Sequence, residues 1–359
     1  MGSCNFKCEN NDSDVQICKN NFEAHFAVGK GGFGRVWKVQ LKKTREVFAM
    51  KEMSKARILS KRSVNSVMNE RKLLSIIRHP FIVNMQFAFQ DRDNLYLLMD
   101  YKSGGDLRYH ITRYRNFAEK QTKFLVMCIL TGLEYLHNNG IIHRDVKPEN
   151  LVFDQMGYLH LTDFGIARVW NPENARDTSG TPGYMAPEVM CRQNHGVAAD
   201  YFAVGAIMHE LMMGRRPYQG KSRKEIRDQM LAKQSRIKAE EVPKNWSLEA
   251  ADFVNKLLQR KPSNRLGVNG PGEVKSHPWL LNQKWEKLLR KRIKPPFVPS
   301  QNQENFDPRQ NSAKWRDENS PLMLQSTELL QAASTQNLFA GYFFDINQQN
   351  VHTENSNTK

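Results

Sequence analysis

The spacing of apolar residues along the chain predicts a strand-rich part followed by a helix-rich part. In the first part, β-forming residues bounded by glycines or charged turns predict strands at 26–28, 34–40, 47–53 and 94–99. One helix is predicted between 63 and 77, where apolar residues recur near helical spacing around Glu70. After Gly104, the same spacing predicts helices at 124–137, 201–213, 225–231 and 248–258. The pattern therefore indicates a small sheet lobe and a larger helical lobe.

Changes in composition mark both ends of these lobes. Residues 1–21 are polar and rich in asparagine, so we expect a flexible arm there. After Trp285, a basic run leads into Pro295, Pro296 and a Gln/Asn-rich stretch, which predicts an extended tail. The predicted divisions are an arm at 1–21, a small lobe at 22–101, a large lobe at 102–285 and a tail at 286–359.

Size and composition are those of a globular protein. With 359 residues, of which 40% are hydrophobic, the chain can bury a substantial core. No segment reaches the roughly 18 consecutive apolar residues of a membrane span, and no secretory signal is evident, so a cytosolic location is expected. The five cysteines and ten histidines lack the spacing of a disulfide framework or a zinc site, and no structural metal is predicted.

The chain is also strongly basic, with a formal net charge of +16. Such a charge suits nucleic acid, anionic lipid or simple solubility, and it does not choose among them. The basic residues are spread along the chain without the interleaved aromatic residues of a single-strand binder. We therefore expect no nucleic-acid partner.

A glycine-rich segment lies between the first two predicted strands. Gly29, Gly31 and Gly34 have the spacing that lets backbone amides approach phosphate groups closely. Because a strand is predicted after Gly34, the segment favours a β-hairpin over ATP rather than a dinucleotide-binding turn. The residues of this hairpin expected to contact ATP are Val28, Gly29, Lys30, Gly31, Gly32, Phe33, Gly34, Arg35 and Val36.

The other candidate residues have the chemistry that phosphoryl transfer requires. Lys51 ends a strand where it can bridge the α- and β-phosphates, and Glu70 can hold it through an ion pair. Asp145 can orient and deprotonate a hydroxyl group, while Lys147 can reach the transferred phosphate. The oxygen ligands expected to hold Mg²⁺ are Asn150 and Asp163.

The ordered segments His143–Asn150, Asp163–Gly165 and Ala186–Glu188 resemble those of the eukaryotic protein kinases, over about 22–285. The form of the first segment and Thr181 in a Gly-Thr-Pro stretch are similar to serine/threonine kinases. The resemblance implies an α+β, bilobal fold with a five-stranded sheet and one helix in the small lobe. It also implies that ATP and Mg²⁺ bind between the lobes, with a C-terminal tail across both.

Further segments resemble the AGC group, the relatives of cyclic-AMP-dependent kinase. They lie at 69–71, 79–81, 264–267 and 277–279, and in the tail at 295–299, 305–307 and 339–344. Within the group, the stretch from Gly104 to His110 is most similar to the YANK branch. The resemblance implies adenine contacts from Val36, Ala49 and Leu151, a gatekeeper at Met99, and a hinge at Asp100, Tyr101 and Lys102. It also implies a stack of Leu74, Met85, His143 and Phe164.

Three acidic residues correspond to those that receive substrate arginines in basophilic members of the group. They are Asp106, Glu149 and Glu210, and Thr181 is expected to join them in binding substrate. Because a carboxylate pairs well with a guanidinium group, we expect protein substrates with Arg or Lys two and three residues before the acceptor. Solvated surface acids are the alternative interpretation.

Asp177 occupies the position of the activation-loop phosphothreonine of the group. We expect it to face Arg144 and Arg168 as an acidic substitute, with one charge against nearly two for phosphate. An ordinary loop acid is the alternative.

The hydrophobic motif of the tail departs from the group as well. It has Phe343 where many relatives carry Ser or Thr. Phe339 and Tyr342 are still expected to dock on the small lobe and brace the helix of Glu70, the alternative being an exposed or swapped tail.

The sequence from Met1 to Cys4 resembles a myristoylation signal at Gly2, although Phe6 departs from it. Cys4 and Cys8 are candidates for palmitoylation, which would add the second signal that stable membrane contact requires. We expect a monomer with peripheral membrane contact. Two alternatives to an active kinase stay open: a pseudokinase that signals by conformation, and an adaptor that uses the positive charge.

Overall fold

A computed structural model of the protein describes residues 17–114, 117–171, 178–306 and 320–348. The described residues form two compact units. The first takes its residues from 1–71, 85–101 and 308–359, and the second from 72–84 and 102–307. Each unit is therefore assembled from segments that are distant in sequence.

The regular elements of the described residues are ten strands and twelve α-helices. The strands are β1 (Phe22–Lys30), β2 (Gly34–Leu41), β3 (Val47–Ser54), β4 (Met85–Gln90), β5 (Asn94–Asp100), β6 (Ile141–Ile142), β7 (Leu151–Phe153), β8 (Leu159–Leu161), β9 (Arg168–Val169) and β10 (Phe344–Asp345). The helices are α1 (Lys55–Ser60), α2 (Val64–Ile76), α3 (Leu107–Tyr114), α4 (Glu119–Asn138), α5 (Pro187–Met190), α6 (Ala198–Met213), α7 (Arg223–Ala232), α8 (Leu248–Leu257), α9 (Pro271–Lys275), α10 (Trp285–Leu289), α11 (Pro321–Leu329) and α12 (Ala333–Asn337).

The first unit is built on one antiparallel sheet with the strand order β1-β2-β3-β5-β4-β10. The five strands expected within 22–101 are present as β1–β5, and the sheet has a sixth strand, β10, from outside that range. The additional strand comes from the C-terminal segment, where Phe344 pairs with Ala88 of β4. Without it, β4 would be an edge strand with an unpaired row of backbone groups, and β10 covers part of that edge.

Aromatic residues fill the core of this sheet. The rings of Phe22 and Phe89 stack with their centroids 6.1 Å apart, and Phe48 meets Phe22 edge-on at 6.2 Å. Phe22 is the first residue of β1 and is buried. Ring pairs of this kind add to the stabilisation from burial, and they fix the start of β1 to the core of the sheet.

Helices α4, α6 and α8 form the core of the second unit. Every residue of α6 from Ala198 to Met212 is buried, as expected for a helix that is mostly apolar on all its faces. Helix α8 approaches it closely at Gly205, where a Cβ atom would lie 2.8 Å from the Cβ of Leu257. A side-chain cap marks the start of α8, where the Ser247 hydroxyl accepts a hydrogen bond from Ala250 N.

The expected extended tail is wrong in part, because α11 and α12 lie within the stretch that its composition marked as irregular. Ser320 caps α11 by accepting a hydrogen bond from Met323 N, and Pro321 occupies the first turn. In the second unit, Phe297 packs edge-on against His110 with ring centroids 5.2 Å apart. Within the part of the chain that the structure describes, no helix combines the length and apolar character needed to cross a membrane.

Candidate active site

The glycine-rich hairpin joins β1 to β2 in the first unit. Packing requires Gly34, because a Cβ atom there would lie 1.7 Å from the carbonyl oxygen of Glu52. At Gly32, in contrast, no heavy atom of the described chain lies within 4 Å of an added Cβ atom. Packing therefore does not require a glycine at position 32, and its lack of a side chain leaves the backbone amides of the hairpin accessible to a phosphate group.

Lys51 of β3 and Glu70 of α2 form an ion pair, with Nζ 2.7 Å from Oε1. Glu70 is buried, so the pair is screened by salt much less than a surface pair would be. The pairing fixes the ammonium group at one position on the sheet. Lys51 lies directly opposite Val36 in the ladder between β2 and β3, which places it beside the hairpin strand.

The residues expected to contact adenine fall in both units. Ala49 lies directly opposite Met99 in the ladder between β3 and β5, and Val36 is on the adjoining strand β2. Leu151 is fully buried at the start of β7 in the second unit. The first unit thus holds Val36, Ala49 and the expected gatekeeper Met99 on adjoining strands, and the joint contact of Val36, Ala49 and Leu151 with adenine stays a prediction.

The expected hinge begins at the last residue of β5. Asp100 ends that strand and its Oδ1 accepts a hydrogen bond from Gln86 Nε2 at 2.6 Å. Lys38 Nζ lies 5.2 Å from the ring centroid of Tyr101, and Lys102 begins the next segment of the second unit.

The carboxylate of Asp145 is the centre of a hydrogen-bond cluster in the second unit. Lys147 Nζ lies 2.5 Å from Oδ2, and Thr181 Oγ1 donates to Oδ1 at 2.8 Å. Lys147 also donates to Thr181 Oγ1 at 2.9 Å. On the other side, Asn150 Nδ2 donates to Oδ2 at 3.1 Å and to the backbone carbonyl of Asp145 at 2.9 Å. Three side chains therefore hold this carboxylate in one orientation.

Asn150 and Asp163 lie at the same end of the hairpin formed by β7 and β8. Leu151 is opposite Leu161, and Thr162 N donates to the carbonyl of Asn150 at 3.0 Å. Asp163 follows with φ of 64°, a left-handed conformation that aspartate adopts more readily than most residues.

These two residues fit a Mg²⁺ ion that is shared with phosphate groups. The nitrogen of the Asn150 amide is committed to Asp145, so the amide oxygen is the atom that can serve as a ligand. Among the described residues, no cluster of three or more His, Cys, Asp or Glu could hold a metal by itself. Few protein ligands, supplemented by water and substrate phosphates, are typical of Mg²⁺ in such sites.

Asp200 anchors the loop that carries Asp145. Its Oδ2 accepts a hydrogen bond from His143 N at 2.9 Å, and its Oδ1 accepts one from Arg144 N at 2.8 Å. Burial alone would raise the pKa of Asp200, but hydrogen bonds from His137 and the loop hold that pKa below its usual value. The carboxylate therefore stays charged and fixes the loop.

Arg144 and Arg168 lie near each other in sequence-distant segments of the second unit. Arg168 lies opposite Ile142 in the ladder between β6 and β9, and Ile142 is two residues before Arg144 in the chain. Arg144 Nε donates to the carbonyl of Ile166 at 2.7 Å. Asp177 lies outside the described residues, so its pairing with these arginines stays a prediction.

The three acids expected to bind substrate have different surroundings. Glu149 and Glu210 both pair with Arg108 of the chain itself, each at 2.8 Å. Asp106 caps α3 by accepting a hydrogen bond from Tyr109 N at 2.7 Å, while burial raises the pKa of its carboxyl to about 6. Arg108 was not among the expected site residues.

The aromatic residues of the tail are buried in the first unit. Phe339 and Tyr342 are both fully buried, and Gln90 Nε2 donates to the carbonyl of Phe339 at 3.0 Å. Lys55 is buried beside them, with Nζ 5.2 Å from the ring centroid of Phe339 and 2.8 Å from Gln336 Oε1. Lys55 was not among the expected site residues, because its partner Gln336 is distant in sequence.

A model of the protein kinase domain matches residues 22–280 of this chain. The chain belongs to the protein kinase family. A probable serine/threonine-protein kinase of Dictyostelium discoideum is 38% identical to this chain over 331 residues. These residues cover 90% of this chain and 70% of the relative. The serine/threonine-protein kinase sgk-1 of Caenorhabditis elegans is 37% identical over 78% of this chain and 60% of its own length.

A RAC family serine/threonine-protein kinase homolog of Dictyostelium discoideum is also 37% identical, over 78% of the kinase and 62% of the relative. The kinase thus spans less than two thirds of the length of two of these three relatives. The SGK and RAC families are serine/threonine kinases of the AGC group, and the chain belongs to this group. The expected family and bilobal α+β fold class are confirmed.

Proposed function

We propose that this kinase transfers the γ-phosphate of ATP, with Mg²⁺, to serine and threonine hydroxyls of proteins with basic residues upstream of the acceptor. The orientation of the Asp145 carboxylate by Lys147, Thr181 and Asn150 is the observation that carries the proposal. A carboxylate held in this way can align the acceptor hydroxyl and accept its proton as the new oxygen–phosphorus bond forms. The Lys147 ammonium group can stabilise charge on the transferred phosphoryl group.

Other residues fit the binding of the nucleotide and metal. Lys51, held by Glu70, is suited to the α- and β-phosphates, and the glycine-rich hairpin offers backbone amides to the phosphate chain. Asn150 and Asp163 would hold Mg²⁺, which neutralises negative charge on the phosphates when it is bound.

The test is transfer of radiolabelled phosphate from ATP, with Mg²⁺, to basic serine and threonine peptides by unphosphorylated enzyme. An Asp145→Asn variant is expected to lose roughly a hundredfold or more in turnover, because the general base is removed. ATP binding without transfer by the unaltered chain would support the pseudokinase alternative. Salt-dependent binding of nucleic acid or anionic lipid without transfer would support the adaptor.

The expected preference for basic substrates is supported by the negative charge of Glu149 and Glu210. A carboxylate pairs with a guanidinium group through short, charge-assisted hydrogen bonds. A positional peptide array with Arg or Lys two and three residues before the acceptor tests this preference. An array without basic selectivity would contradict it.

We further propose that the kinase is a cytoplasmic monomer with peripheral membrane contact through acylation of Gly2 and of Cys4 or Cys8. The support is the sequence from Met1 to Cys4, together with the need for two signals in stable anchoring. Intact-mass measurement of protein from its native cell tests the acylation, and a free or acetylated Gly2 would contradict it. Sedimentation analysis tests whether the protein is a monomer in solution.

A further inference from the structure

Arg108 binds two of the three acids that are expected to receive substrate arginines. It is the second residue of α3, and its Nε lies 2.8 Å from Glu149 Oε1. Its Nη1 lies 2.8 Å from Glu210 Oε1, and its Nη2 lies 3.2 Å from Glu210 Oε2. Nη2 also donates to the hydroxyl of Tyr184. One guanidinium group therefore pairs in a fork with Glu210 and reaches Glu149 with its remaining edge.

Burial and charge explain why this arrangement is stable. The side chain of Glu210 is 10% exposed, so its charge needs a partner. Burial alone would lower the pKa of Arg108, but hydrogen bonds to Glu210 and Glu149 raise that pKa above its usual value. Arg108 side-chain exposure is 28% and that of Glu149 is 43%, so solvent and a peptide can still reach the outer side of the cluster.

We propose that Arg108 is a specificity-determining residue that competes with a substrate arginine for Glu149 and Glu210. The inference rests on the proposed function, because it concerns the peptide that the same site accepts. Arg108 presents the group that an upstream arginine of the substrate would present. A substrate arginine must displace Arg108 from Glu210 or share Glu149 with it, and either event reduces the binding free energy that it contributes.

The consequence is a basic preference that is weaker than three acidic residues would otherwise produce. Glu149 keeps an exposed face, so a substrate base can still pair with it at the rim of the site. Glu210 discriminates little while Arg108 occupies it. Removal of the Arg108 guanidinium group should therefore increase selectivity for upstream arginine rather than abolish it.

The test is the binding of fluorescent peptides that have alanine at the acceptor position. One peptide carries arginine two and three residues before that position, its partner carries alanine there, and anisotropy gives both affinities. In Arg108→Met, the affinity for the arginine peptide relative to the alanine peptide is expected to rise about tenfold or more. This factor corresponds to the free energy of one hydrogen bond to a charged group. An unchanged ratio would overturn the proposal. Since the peptides cannot be phosphorylated, a failure of phosphotransfer does not affect this result.

Arg113→Met is the matched control. It removes the same charge from the same helix, but Arg113 contacts Tyr109 and Gln303 instead of the two acids. Its affinity ratio should equal that of the unaltered protein. Equal increases in both variants would show an effect of net charge and would also overturn the proposal.

A second variant tests the proposal if Arg108→Met does not fold. Arg108→Lys keeps the charge, but an ammonium group cannot reproduce the planar fork that bridges Glu149 and Glu210. A smaller rise in the affinity ratio is expected for this variant, with thermal unfolding measured alongside. A folded Arg108→Lys variant with an unchanged ratio would contradict the role of the fork.

Discussion

Arg71 holds the backbone of Tyr342, with its Nε donating to the carbonyl oxygen of Tyr342 at 3.1 Å. Arg71 directly follows Glu70 in α2, and it also donates from Nη2 to the carbonyl of Phe343. Burial, with the nearby charge of Glu70, raises the pKa of the Tyr342 hydroxyl well above its usual value. The C-terminal segment is therefore attached to the helix that positions the partner of Lys51.

Phe339→Ala is expected to lower the free energy of unfolding by about 3 kcal/mol, because a fully buried ring is removed. Turnover should fall as well, since the helix of Glu70 loses part of its support. Chemical denaturation and peptide phosphorylation measure the two effects. Leu338→Ala is the control, because the neighbouring Leu338 side chain is exposed. Equal effects of the two substitutions would contradict the docking of the tail, as would full activity and stability after deletion of 335–359.

Removal of one partner from the pair of Glu188 and Arg265 is expected to destabilise the protein by about 3–5 kcal/mol. Both side chains are buried, with Nη1 2.6 Å from Oε1 and Nη2 2.9 Å from Oε2. Either single change leaves a buried charge without its partner. The double variant Glu188→Gln with Arg265→Met should recover part of the loss. Denaturation of the two single variants and the double variant gives the coupling free energy, and additive losses would be the contrary result.

Thr181→Val is expected to lower turnover by roughly a hundredfold with little change in affinity for ATP. The hydroxyl of Thr181 donates to Asp145 and accepts from Lys147, so its loss releases both groups from their alignment. Thr181→Ser keeps the hydroxyl and should retain most activity. Single-turnover kinetics with a serine peptide separates the chemical step from binding. If both variants behaved alike, the hydroxyl would not be the group that matters.

His160 should make stability depend on pH between about 4 and 6.5. Burial lowers the pKa of His160 to about 4, although its Nε2 lies 3.0 Å from Asp154 Oδ2. The unfolded chain, with a histidine pKa near 6.5, therefore binds more protons in this range. The free energy of unfolding should fall as the pH falls from 6.5 towards 4.

Denaturation at several pH values tests this dependence in the unaltered protein and in His160→Gln. The variant should show a shallower fall, and His79 should account for part of the remainder, because burial lowers its pKa to about 4 as well. His25→Gln is the control at an exposed position of β1. A pH profile of His160→Gln that matched the control would contradict the assignment.

Asp177→Ala is expected to reduce the turnover of unphosphorylated enzyme about fivefold or more. A fivefold change corresponds to the weakest coupling usually found between two interacting sites. The physical reason is the loss of the negative charge that we expect to pair with Arg144 and Arg168. Asp177→Glu keeps the charge and should retain activity. Initial rates are measured after phosphatase treatment. Unchanged turnover in Asp177→Ala would mean that the loop acid has no activating role.

Residue type and spacing were sufficient to identify the kinase family and to predict which groups carry its chemistry. The ordered motifs contain Lys51, Asp145, Asn150 and Asp163, and they can be recognised from the local sequence alone. The local backbone geometry then positions each of these side chains. The predicted strands and helices with strong periodicity correspond to β1–β3, β5 and several long helices. Strand β4 was not predicted from the pattern, although apolar Met85, Phe87 and Phe89 alternate with Gln86, Ala88 and Gln90 as in a strand.

Contacts between distant segments decided the rest. That Arg108 pairs with both Glu149 and Glu210 depends on three segments that the fold brings together, and no spacing in the chain predicts it. In the same way, Phe344 becomes part of a strand only because β4 offers an unpaired edge. Hydrogen-bond partners and burial arise from the folded arrangement, whereas residue chemistry is present in the chain from the start.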